Sequence, residues 1–396
     1  MKDPPTAVGG IPEKARKDDC LFSEVELISR LEFDFAVPIG LFMKKLVVAA
    51  VLFSLYRLAV PLAAAAQNER ATGKSEQVAV AHQTQATTEK AEAELRSGRV
   101  DEALSTLKAI PRDSSNESMI NHLLGLAYYQ KSDYRGSAEF LALSAASSPA
   151  ASKQHRQAIR LLGMSHYLSG HVAECIPYLE QVNGWDPNDV EIQYTLGNSY
   201  IQAHKLDKAR NVFAAMFSVA PTSAAAYLIN AQMMIRQQFE ELAEAELRKA
   251  LELDPKLPEA NFLLGEMAIY HANVELGIEL LEKEIAINPA FAMAYYRLGE
   301  ALTRQLKWDK AIAPLQKSIW LNPFFSGPYI VLGKVYLKTG DLANAESMLR
   351  HALKMDQNNY SGHYLLAQVL QQAGRSEDAK REFELADQLQ KSSSER

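Results

Sequence analysis

The stretch AMAYYRLGEALTRQLKWDKAIAPLQKSIWLNP, residues 292–323, carries the decisive pattern. It holds two runs with apolar residues at helical spacing, each about three turns long. It closes on a proline, which disfavours helix in the residue before it and so ends the second run. That proline is one of a series. Pro187, Pro221, Pro255, Pro289 and Pro323 stand 34 residues apart, and Pro149 extends the series one step back with a four-residue insertion. Asp186, Asp254, Asn288 and Asn322 precede four of them.

Three other positions keep the period. A small residue lies 24 before each proline: Gly125, Gly163, Gly197, Ala231, Gly265 and Gly299, continued by Gly333 and Ala367. A second lies 12 before: Ser137, Cys175, Ala209, Ala243, Gly277 and Ala311, then Ala345 and Ala379. A large apolar residue lies eight before: Leu141, Leu179, Phe213, Leu247, Leu281 and Leu315, then Leu349 and Phe383. Small residues let paired helices approach closely, and a bulkier side chain there would overpack the contact by roughly 1–3 kcal/mol. Gly170, Gly340 and Gly374 mark the turn between the two helices in some copies.

A fixed period of this length is the mark of a stacked-repeat architecture. With residues 190–221, VEIQYTLGNSYIQAHKLDKARNVFAAMFSVAP, the copies resemble tetratricopeptide repeats. Eight clear repeats run from about Ser118 to Gln390, preceded by a shortened unit whose core is residues 91–111. The resemblance implies an all-α fold, a right-handed superhelical solenoid of helix-turn-helix hairpins over residues 86–396. Three residues depart from the pattern: Asn230 where neighbours carry leucine, Glu284 late in a second helix, and Pro314 inside one, where it removes a backbone hydrogen bond.

In such solenoids each repeat buries its apolar face against its neighbours, leaving a curved array. The resemblance places the first helix of each hairpin along a concave groove that binds extended peptides or partner helices. Candidate groove residues follow from it and from helical spacing. Tyr194, Phe262, Tyr296 and Tyr364 are equivalent in four repeats. Asn198, Glu266, Glu300 and Gln368 lie four residues on, and Gln202, Tyr270, Arg304 and Gln372 four further. The intervening repeats add Gln232 and Arg236, then Lys334 and Lys338. Aromatic rings offer contact area and Arg grips carboxylates; the same tyrosines would also serve to pack successive first helices. The family's carboxylate clamp is not expected, because Tyr194, Ile229 and Glu259 stand where its partners would be needed.

No catalytic constellation is visible, neither a phosphate-binding glycine loop nor a nucleophile elbow, so the expected role is non-catalytic and without cofactor. The two cysteines, Cys20 and Cys175, make no disulfide framework, and none of the nine histidines forms an HExxH pair. Cys175 reads as a buried structural thiol, and Trp185, Trp308 and Trp320 as core or inter-repeat packing. His166 and His171 do not share a helical face, which argues against a metal site. A net charge of −6 argues against nucleic acid as a partner. The polar face of the last helix, Glu377 to Gln390, suits a cap and a monomer.

Residues 43–66, MKKLVVAAVLFSLYRLAVPLAAAA, have the order of a secretory signal: basic start, apolar middle, small residues at the end. Cleavage is expected near Ala66–Gln67, giving an exported, periplasmic protein. The alternative is an uncleaved anchor over residues 46–66, in which Arg57 would cost roughly 2.5–3.5 kcal/mol near the bilayer centre. Residues 1–42 read as an upstream extension before a start at Met43, and residues 67–85 as a polar linker or frayed helix.

Overall fold

The computed structural model of the chain describes residues 73–394; the segments read as extension and signal, and Cys20, lie outside them. Among the described residues there are eighteen helices and no strand. They belong to two compact units divided between Ile110 and Pro111.

The described part of the first unit is one hairpin, α1 (Gly73–Arg96) and α2 (Val100–Lys108). Ala91, Leu95, Ala103 and Leu107 are buried, and Glu94 accepts from Thr106 Oγ1 at 2.9 Å. Helix α1 begins at Gly73, so most of the segment read as linker is helical. No glycine or proline interrupts the chain between Gly73 and Arg96, which lets the helix extend back from its packed end.

The second unit is a run of eight hairpins. Their first helices are α3 (Glu117–Gln130), α5 (Lys153–Leu168), α7 (Val190–Gln202), α9 (Ala224–Arg236), α11 (Ala260–Tyr270), α13 (Ala292–Arg304), α15 (Ser326–Thr339) and α17 (Tyr360–Gln372). Their second helices are α4 (Tyr134–Ser147), α6 (Val172–Trp185), α8 (Leu206–Met216), α10 (Glu240–Leu253), α12 (Val274–Ile287), α14 (Trp308–Leu321), α16 (Leu342–Met355) and α18 (Ser376–Ser394). The eight repeats read from the periodicity correspond to these eight hairpins.

The conserved spacing has a direct mechanical meaning. A methyl group at Gly299 would lie 2.5 Å from Leu315 Cγ, and one at Gly197 2.4 Å from the Phe213 ring. Gly125 faces Leu141, Gly163 faces Leu179 and Gly333 faces Leu349 in the same way. The small residue of the first helix is thus the socket for the large residue of the second, sixteen positions later. Leu141, Leu179, Phe213, Leu247, Leu281, Leu315 and Leu349 are all fully buried.

Every hairpin turn of this unit has the same left-handed residue, whatever its type: Ser132, Gly170, His204, Gln238, Ala272, Leu306, Gly340 and Gly374 all have positive φ. Two backbone bonds close each turn. At the sixth, Lys307 N–H donates to Leu302 O and Leu306 N–H to Thr303 O, both at 3.0 Å, a Schellman closure of the first helix. The glycines seen in the sequence mark only the unstrained cases.

The departures also find partners. Asn230, fully buried, donates from Nδ2 to Glu246 Oε2 at 2.8 Å, and Glu246 pairs with the buried Arg210 at 3.3 Å. Arg210 also binds Pro221 O at 3.1 Å and lies 4.1 Å from the centre of the Tyr227 ring. Glu284, fully buried, accepts from the backbone N–H of Glu259 at 2.8 Å and of Phe262 at 3.3 Å. It thereby caps α11, whose own N-cap residue Glu259 is left-handed at φ 72 and makes no side-chain cap. Helix α14 runs unbroken across Pro314, and α6 across Pro177. One reading is corrected: Trp320 is not packed inside but 72% exposed, with Lys317 Nζ 3.9 Å from its ring centre. It lies on the outer face of α14, where apolar periodicity and burial part company.

Candidate functional site

Successive first helices pack directly on one another, α3 on α5, α5 on α7, α11 on α13, α13 on α15 and α15 on α17. Successive second helices do not approach to the same extent. The second unit therefore curves toward its first helices, whose free face is the inner one.

On that face the candidate residues fall into three levels. Phe262, Tyr296 and Tyr194, nearest the helix start, are half-buried, and Tyr364 is 40% exposed. Phe262 meets Phe291 edge-on at 4.9 Å, and Tyr296 meets Phe325 at 5.1 Å. Phe291 and Phe325 open the next first helices, so these two aromatics brace neighbouring repeats. Tyr364 leans on Phe383 of the last helix at 5.6 Å. Burial pushes the Tyr296 hydroxyl up to about 12, with Glu300 adding to the shift.

The middle level is largely paired across repeats. Asn198 is buried and accepts from Gln237 Nε2 at 2.8 Å, so it supports the surface without lining it. Gln232 donates to Glu259 at 3.0 Å. Glu266 lies 3.0 Å from Arg297 Nε, and Arg297 Nη1 binds Glu300 at 2.9 Å. Burial raises the Glu266 carboxyl above its ordinary value; Arg297 opposes the shift and Glu300 adds to it. Gln368 is half-buried and Lys334 exposed.

The last level is open: Gln202, Arg236, Tyr270, Arg304, Lys338 and Gln372 are all exposed. Tyr270, 76% exposed, borders a shallow cleft with Glu266, Arg297, Glu300 and Arg304. Sequence reasoning missed three residues here. Arg297 sits one place beyond the aromatic level and ties two first helices together. Arg160, equivalent to Tyr194, binds both Asp189 and Glu191 of the next first helix. His122, equivalent again, is buried with Nε2 3.2 Å from Gln157 Oε1. The 34-residue register reaches Arg160 one step back from Tyr194, and His122 one step further once the four-residue insertion is allowed for.

Other sequence candidates lie apart from this face. Cys175 is buried with its thiol 3.2 Å from Ser199 Oγ, and burial pushes its pKa up. The rings of His166 and His171 meet edge-on at 6.1 Å, with His166 stacked on Tyr178. Among the described residues no three metal-type ligands come together, and no helix is long and apolar enough to cross a membrane.

The tetratricopeptide-repeat family matches at residues 166–232 and 336–395 by one of its models and at 293–324 by another. The chain carries tetratricopeptide repeats over these residues. Solved structures similar to it include MamA, at 23% identity over 41% of this chain and 95% of that one, TM-score 0.38. YrrB, described as a TPR protein with an unusual peptide-binding site, is 21% identical over 43% of this chain and 87% of its own, TM-score 0.40. The pilF protein of Pseudomonas aeruginosa is 18% identical over 49% and 88%, TM-score 0.41. These are likenesses of fold alone. No curated protein matches the sequence.

Proposed function

We propose that the chain is a non-catalytic interaction scaffold whose first-helix face takes peptide segments or partner helices, and that it works in the bacterial periplasm as a monomer. The observation that carries the reading is the periodic row of exposed side chains Gln202, Arg236, Tyr270, Arg304, Lys338 and Gln372, each 34 residues after the last. One accessible side chain per repeat, six repeats running, suits an extended ligand better than a compact substrate. The exported location rests on residues 43–66 alone. A protein found with those residues intact would instead be an anchored or cytoplasmic adaptor, and amino-terminal sequencing of the native protein distinguishes the cases.

Binding is tested by photo-crosslinking in intact cells. A photoreactive residue at position 270, 304 or 338 should capture a common partner, and one at the exposed outer position Lys283 should not. Capture only from position 283 would overturn the reading.

A further inference from the structure

We propose that the C-terminal half of the first-helix face, formed by α13, α15 and α17, takes an acidic stretch of a partner polypeptide, held through its side-chain carboxylates. This rests on the reading of that face as the binding surface and adds the chemistry of what binds.

Up to α13 the polar groups of the face are taken up by neighbouring first helices. Arg160 holds Asp189 and Glu191, Gln232 holds Glu259, and Glu266 meets Arg297. Beyond α13 the pattern stops. Lys334 and Lys338 are exposed, four residues apart on one face of α15. Neither has a carboxylate within ion-pair reach among the described residues. Helices α15 and α17 contain no Asp or Glu. Asp341, the acid next along the chain, is occupied in capping α16 through Asn344 N at 3.2 Å and Nδ2 at 2.7 Å.

Arg304, in register with Lys338 one first helix earlier, is half-exposed. Its single pairing is a 3.5 Å contact with Glu300, a carboxylate that Arg297 already binds at 2.9 Å. Across α13, α15 and α17 the charged residues are Arg297, Arg304, Lys334 and Lys338 against Glu300 alone. Across α7, α9 and α11 they are Arg236 against Glu191 and Glu266. In a chain of net charge −6 this is a local inversion of sign.

Such a patch favours carboxylates through rate and specificity of encounter. Tyr364 on α17 and Tyr270 on α11, the first helix before α13, add aromatic contact area for apolar residues between the acids. Nucleic acid fits less well, because a duplex brings one charge per ~1.7 Å of axis against three open cations spread over two helices.

The test uses the full chain and fluorescein-labelled peptides of about eight residues, long enough in extended form to cross from α13 to α17. One alternates Glu with Leu and Ala; the others replace Glu by Gln or by Lys, and all are amidated so that no terminal carboxylate contributes. At low salt, anisotropy should show the Glu peptide bound about tenfold more tightly than the Gln peptide, with the difference shrinking as ionic strength rises. The Lys334→Glu, Lys338→Glu double variant should abolish that preference, and Lys334→Arg, Lys338→Arg should retain it; both changes are on the surface, and circular dichroism checks that the fold persists. Equal or better binding of the Gln or Lys peptide would overturn the charge inference and leave the binding surface standing. Tighter binding of single-stranded DNA than of the Glu peptide would likewise overturn it. Failure of all three peptides to bind would overturn both.

Discussion

Replacing Gly299 by Ala tests the packing logic against an internal control. The added methyl would lie 2.5 Å from Leu315 Cγ and 2.6 Å from Cδ2, and Leu315 is fully buried with no room to retreat. At the equivalent Gly265 the methyl would lie 3.2 Å from Leu281 Cγ and 3.3 Å from Gly277 O, tight but accommodated by a small shift. Both changes gain about 0.8–1 kcal/mol of helix propensity. Overpacking offsets this at Gly299 by about 1–3 kcal/mol and at Gly265 by much less. Gly299→Ala should therefore be destabilising by up to ~2 kcal/mol, while Gly265→Ala is neutral or stabilising by up to ~1 kcal/mol. Repeat arrays open locally, so the measurement is native-state hydrogen exchange at amides of α13–α14 against α11–α12. In the Gly299→Ala, Leu315→Ala double variant the two costs should fall short of their sum by more than ~0.5 kcal/mol, because the clash disappears with the leucine. Equal costs at the two glycines, or simple additivity in the double variant, would refute the socket assignment.

Four further outcomes follow from the same structure. Glu246→Ala takes one of two carboxylates from the buried Arg210, which keeps Asp207 at 2.5 Å, and removes the nearer acceptor of Asn230 Nδ2, so it should cost about 1–3 kcal/mol, whereas replacing Arg210, Asn230 and Glu246 together by Met, Leu and Leu should cost less; denaturant titration compares them. Glu284→Ala removes the acceptor that caps α11 and should cost about 0.5–2 kcal/mol, read as faster exchange of the Glu259 and Phe262 amides. Leu306→Gly relieves a left-handed leucine that is already exposed, so it should be stabilising by roughly 0.5–1 kcal/mol in thermal unfolding, net of the entropy glycine adds to the unfolded chain. Burial lowers the His122 pKa below the ordinary 6.5, so the folded form holds it neutral while the unfolded chain takes up a proton. Its contribution is present above pH 6.5 and lost as pH falls through the lowered folded value. His122→Gln should flatten the loss of stability between neutral and acid pH around α3 and α5, measured by exchange at the two pH values.

The prolines, the socket glycines and the buried large residues were legible in the sequence because each is part of a contact repeated at constant separation. Gly299 and Leu315 are sixteen residues apart within one hairpin, and a local contact recurring with the chain's own period leaves a periodic trace. That trace was sufficient for fold class and repeat count. It also placed Tyr270, Arg304 and Lys338 on an open face, since one helical face repeats with the unit. Side chains without a periodic counterpart were settled only by tertiary structure. Asn230 looked like a broken leucine until Glu246 and Arg210, from two different helices, closed around it. Glu284 looked like a misplaced charge until it met two backbone N–H groups of α11. Leu306 concealed a left-handed turn that glycine announces elsewhere. Trp320 fitted an apolar pattern yet faces outward. In each case the partner, or its absence, depends on how separate helices approach in space, and no spacing along the chain encodes that distance.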